Sequence, residues 1–157
     1  MKQIITQSEV KALAFSDGEY LQSEVIAKMD IDAAIEQWIL PVVGEGVLEA
    51  AAEGRYEEFT ESYLKPTIAA FTRCLVQSRL NTVTGHAGLA VPVGSYHKAA
   101  DAEARRELMH SLTVRAKALR RAMSEYLESH AGEISEYDPK KNVLNRCSCY
   151  GGIVQIH

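Results

Sequence analysis

Three carboxylates recur every fourth residue, Glu45, Glu49 and Glu53, a spacing that lines them along one face of a helix. Aligned carboxylates serve general acid–base catalysis or hold metal ions. Di-metal sites in helical bundles pair them with Glu-x-x-His motifs on further helices, and none is expected here. His110 is the histidine that an enzyme built on Glu45 and Glu49 would use. A solvated acidic face is the plainer reading of the repeat.

The other reactive side chains are sparse. His86 and His97 flank a glycine-bearing stretch with no acidic or cysteine companion at ligand spacing. Gly85 and Gly88 lie in that stretch, but the lysine and hydroxyl residue that complete a phosphate loop do not follow. Cys147 and Cys149 are separated by one residue, short of the two to four common in zinc sites. Cys74 shares an apolar helical stretch with Phe71 and Leu75 and reads as a small packing residue. No nucleophile elbow, H-E-x-x-H pair or dinucleotide-binding glycine turn occurs. The expectation is a protein without catalytic residues, metal or cofactor.

The elements that would position these groups are mostly helices. The chain has 157 residues, 46% apolar and 24% charged, enough for one domain with its own core. Thr6 and Glu9 form a capping-box pattern ahead of Val10, Leu13 and Ala14, with Ser16-Asp17-Gly18 ending the run. Ile31, Ala34, Ile35, Trp38 and Ile39 predict a second helix over 28–40, with Trp38 in the core and Pro41 and Gly44 marking a turn. A third helix over 45–53 stops at Gly54, which suits a helix C-terminus. A fourth spans 56–80, with Pro66 inside it predicting a kink or break.

Residues 81–95 contain three glycines and a proline, a long connection in which Val83-Thr84 and Leu89-Ala90-Val91 suit a short hairpin. A last helix over 99–130 carries Leu108, Leu112, Leu119, Met123 and Leu127 on one stripe. It would be about 48 Å long, against roughly 40 Å for a compact domain of this size. It must therefore break or reach past its own body. The division is a helical domain over 1–132 and an extended arm over 133–157, apolar at its tip. The fold class is all-α: a bundle of four to five helices with one long C-terminal helix, a glycine-containing loop and the arm.

Charge is segregated. Glu45, Glu49, Glu53, Glu57, Glu58 and Glu61 are accompanied by Arg55 alone before Ser62, whereas Arg105, Arg106, Arg115, Lys117, Arg120 and Arg121 dominate the last helix. Pairing within the chain or solvation is the plain explanation. Head-to-tail docking between copies is the functional one. DNA contact by Arg115, Lys117, Arg120 and Arg121 is a rival, weakened by a net charge of −4. No run approaches the ~18 apolar residues that span a bilayer, and the N-terminus lacks a secretory signal. The expected location is the cytoplasm.

Three stretches resemble a known family: 35–46 (IEQWILPVVGEG), 63–71 (YLKPTIAAF) and 136–154 (EYDPKKNVLNRCSCYGGIV). In this order, with a glycine-bearing loop and one long helix, they look like the head–tail connector (adaptor, or head-completion) proteins of long-tailed phages and prophages. The resemblance implies a non-enzymatic subunit that forms a ring of about a dozen copies and docks to portal and stopper or tail proteins, near DNA in a channel. Such a subunit would be virion-associated once assembled. Carried over by position, the docking loop would be residues 81–95, with Gly85, Gly88, Leu89 and Val91. The arm would be residues 140–156, with Tyr150, Ile153 and Val154. Arg115, Arg120 and Arg121 complete the expected contact residues. The arm is longer than in the simplest adaptors.

Overall fold

The computed structural model describes residues 3–15, 25–80, 83–85, 88–90, 101–150 and 153–156. They form five helices and two small hairpins, a mainly helical fold as expected. Helix α1 (Gln7–Ala14) begins at the capping box, where Thr6 accepts from the Glu9 amide and the Glu9 carboxylate accepts from the Thr6 amide. Its last carbonyl, on Ala14, accepts from the Arg73 guanidinium, which also lies 4.6 Å from the Phe15 ring centre. A cation there complements the negative end of the helix dipole.

Helix α2 spans 28–43 and does not stop at Pro41. Its middle, Ile35–Ile39, is wound as a π turn, so that the Leu40 amide reaches the Ile35 carbonyl and Pro41 enters the next turn, Leu40–Val43. The widened turn accommodates a residue that has no amide to donate. The chain reverses instead at Gly44, whose φ of +84° and ψ of 158° lie where side chains are excluded. Helix α3 (Glu45–Ala52) ends ahead of Gly54, at φ +89°. Helix α4 spans 57–80 and repeats the device of α2. Its π turn, Thr60–Leu64, lets the Lys65 amide bond the Thr60 carbonyl just before Pro66. The expected interruption at Pro66 is this widened turn.

Apolar residues of α1, α2 and α4 close the core with the second half of the long helix, α5 (Ala102–Ser129). Ile39, Phe59, Leu64, Ile68, Met123 and Leu127 are among the fully buried side chains; each contributes about 1.5–3 kcal/mol relative to exposure. Trp38 is half-buried and stacks on Phe71 at 4.8 Å, a packing role as expected. Helices α4 and α5 run antiparallel. Phe59 and Tyr63 meet Tyr126, and Phe71 lies under Arg120. Helix α5 does not break. At about 1.5 Å per residue its 28 residues extend about 42 Å, and none of residues 102–115 is buried.

The boundary expected at residue 133 moves. After Ser129 the chain turns back, and Ile134 and Tyr137 enter the core. Asn142, wholly buried, donates to Ser124 Oγ and to the Tyr137 hydroxyl, each at 2.8 Å, while its Oδ1 accepts from the Leu144 amide. A short 3-10 turn, Val143–Asn145, follows. Residues up to 146 therefore belong to the helical body.

Two antiparallel hairpins complete the described structure. Strand β1 (Val83–Gly85) pairs with β2 (Gly88–Ala90), and β3 (Cys147–Tyr150) pairs with β4 (Ile153–Ile156). The first is the short hairpin expected before α5.

Candidate assembly surfaces

The six acidic residues of α3 and the start of α4 are all exposed. Glu53 pairs with Arg55 at 3.3 Å and Glu61 with Lys65 at 2.6 Å. Glu45, Glu49, Glu57 and Glu58 make no ion pair among the described residues. Glu58 lies at the end where α4 begins and α5 finishes. Here Tyr63 and Tyr126 approach to 4.5 Å, and His130 stacks on Tyr126 at 4.1 Å. Burial, followed by the charges of Glu58 and Glu133, pushes the Tyr126 phenol above its ordinary value.

The sequence of the Arg55–Glu136 region explains how this end is held. Tyr56 takes a left-handed conformation, φ +58°, that starts α4. From there its hydroxyl donates to Glu136, which also accepts from Ser135 and pairs with Arg55. These donors hold the Glu136 carboxyl at about 2, the Tyr56 hydroxyl contributing most. Glu9 is held at about 2 as well, chiefly by the Lys65 ammonium.

The basic residues of α5 divide into two kinds. Arg120 lies half-buried with its guanidinium 5.7 Å from the Phe71 ring centre, and burial lowers its pKa. It is a packing residue as much as a surface cation. Arg121 is exposed and pairs with Glu125 at 3.2 Å, and Arg115 is exposed. Arg106, His110, Val114, Lys117 and Arg121 follow one another at three- and four-residue steps, and all are exposed. They form a basic stripe opposite the core, with Val114 52% exposed at its centre. Leu108, 39% exposed, flanks it.

In the hairpins, Gly85 faces Gly88 and Leu89 faces Thr84, while Tyr150 faces Ile153 and Val154 faces Cys149. Val91, His86 and His97 lie outside the described residues, as do Ser16-Asp17-Gly18. Of the expected loop and arm contact residues, Gly85, Gly88, Leu89, Tyr150, Ile153 and Val154 fall on the two hairpins, and Arg115 and Arg121 are exposed on α5.

Glu45 and Glu49 point outward from α3, and His110 lies about 30 Å along α5 from His130 at about 1.5 Å per residue. Against expectation, Glu107-Leu108-Met109-His110 does carry one Glu-x-x-His spacing; both ends are exposed. No three His, Cys, Asp or Glu side chains gather where one ion would bind, among the described residues. Cys74 is partly buried near Thr113, and burial pushes its thiol up, away from reactivity. No described helix is long and apolar enough to cross a membrane. The Ser124–Tyr137–Asn142 network was not among the expectations from sequence. Its signal was present as Ile134 and Tyr137 at one-turn spacing before an asparagine. Comparison with family models, curated proteins and solved structures finds no match.

Proposed function

We propose that the protein is a non-enzymatic assembly subunit of the phage head–tail connector type. Its copies associate into a ring, and its two hairpins dock onto portal-side and stopper-side neighbours. The observation that carries this reading is the first half of α5. Residues 102–115 form regular helix in which Arg105, Met109, Leu112 and Thr113 are partly buried and none is fully buried among the described residues, and they present Leu108 and Val114 to solvent. A helix rarely persists on propensity alone, because most of its stability comes from packing one face. Such a segment is completed by another polypeptide.

The hairpins support the same reading. An isolated two-stranded hairpin is marginally stable in water, and each of these has unpaired edges that a neighbouring chain can extend. The resemblance noted in the sequence supplies the class of partner, and the order of helical body, hairpin, long helix and terminal hairpin is compatible with it.

Negative-stain electron microscopy of the concentrated full chain tests the proposal. Closed rings with a central opening are expected. Monomers at every concentration, or open filaments alone, would count against a connector. The exposed stripe of α5 favours one rival, DNA contact. That rival requires affinity for duplex DNA that falls steeply with salt, and the connector reading expects only weak binding of that kind.

A further inference from the structure

An acidic surface lies where α5 ends, and a basic stripe runs along α5 from Arg106 to Arg121. The antiparallel register of α4 and α5 puts Glu58 beside Tyr126, at the C-terminal end of α5, with Glu57 next to it in the first turn of α4. Arg106 stands about 30 Å of helix away from Tyr126 at about 1.5 Å per residue. The helix dipole of α5 has the same sense as these charges, positive at the Arg106 end and negative at the Tyr126 end.

The acidic end offers more than charge. Tyr63, Tyr126 and His130 form a contiguous aromatic cluster that is only half-buried, with Glu58 and Glu133 exposed beside it. Aromatic rings edged by carboxylates suit a guanidinium or ammonium, which gains from both the ring faces and the charge. The α5 stripe supplies such groups around an apolar centre: Arg106 and Lys117 on either side of Val114, neither with an ion pair among the described residues.

From this complementarity we infer that the acidic–aromatic end of one copy receives the Arg106–Val114–Lys117 stripe of the next, in a head-to-tail contact. The inference rests on the reading that copies of this chain assemble, and it specifies which surfaces meet. Because the two surfaces differ, the contact is heterologous and each copy keeps one of each free for a further neighbour. That arrangement propagates until a ring closes.

Sedimentation velocity on the full chain tests it with two charge-reversed proteins, Glu57→Lys with Glu58→Lys, and Arg106→Glu with Lys117→Glu. All four sites are exposed, and circular dichroism confirms that each variant is folded. Wild-type assemblies should dissociate as ionic strength rises. Each variant alone should associate roughly a hundredfold more weakly, the penalty for like charges across an interface. An equimolar mixture should recover association, since its reversed surfaces complement each other. Association that ignores salt and both reversals would overturn this contact while leaving assembly intact. A wild-type chain that stays monomeric at every concentration and salt would overturn the assembly reading itself. Loss in both variants without recovery in the mixture would also contradict the pairing.

Discussion

Asn142 shows how a single side chain decides where the body ends. Its amide donates to Ser124 and Tyr137, and its side-chain carbonyl oxygen accepts from the Leu144 amide in the following turn. Replacement by alanine removes two buried hydrogen bonds and one part-buried one and strands the Ser124 hydroxyl, while the Tyr137 hydroxyl keeps its bond to Glu128. Asn142→Ala is expected to lower unfolding stability by about 2–3 kcal/mol, measured by urea denaturation followed by circular dichroism. A change within about 0.5 kcal/mol would show that the network is not structural. Two carboxylates act by charge. Glu9 and Glu136 titrate at about 2 in the folded protein, against an ordinary value of 4.5. Their contribution is therefore complete above about pH 4.5 and is lost as pH falls through about 2. The urea midpoint should drop across that window, and Glu136→Gln and Glu9→Gln should each flatten part of the drop. Both pairs are only partly buried, so salt should weaken the same effect.

At the scale of elements, backbone conformation and space separate cleanly at two glycines. A Cβ on Gly44 would meet nothing within 4 Å, yet its φ of +84° with ψ of 158° is a conformation reserved for glycine. Gly132 has equal room and no positive φ. Gly44→Ala should destabilise by about 2 kcal/mol, while Gly132→Ala should be neutral or stabilising by about 0.5 kcal/mol. Thermal melts of the two variants decide it, and equal effects would refute the argument. The legible elements were those announced by local chemistry: the Thr6–Glu9 cap, the stop at Gly54, the hairpin beside Gly85 and Gly88. Pro41 misled because a proline reads locally as a helix end. The π turn that absorbs it depends on how Trp38 and Ile39 pack against α4, which no local pattern encodes. Pro66 is absorbed in the same way, so one device recurs where two helices must continue across a proline.

For the whole molecule, the sequence conveyed the surplus length of α5 but placed the end of the body too early. Ile134 and Tyr137 are ordinary tail residues until the chain turns at Ser129 and brings them beneath α5, a tertiary event. The charge segregation was visible as composition. Its division into paired and unpaired charges was not, because Glu61–Lys65 and Arg121–Glu125 pairing depends on rotamer and neighbour. Two truncations follow from the corrected boundary. Removing residues 147–157 should preserve helical circular dichroism and the urea midpoint, because the body ends at Arg146. Removing residues 140–157 takes Asn142 with it and should lower the unfolding free energy by about 2 kcal/mol or more. Equal stability of the two would contradict the boundary.

The central claim is that α5 is finished by another chain, and hydrogen exchange along that helix addresses it most directly. In dilute protein, amides of residues 102–115 should exchange fast while those of 116–129, which carry Met123 and Leu127 into the core, exchange slowly. On concentration into the assembled state, the first half should become protected. Slow exchange over 102–115 in the dilute monomer, or unchanged fast exchange in the assembly, would contradict the account.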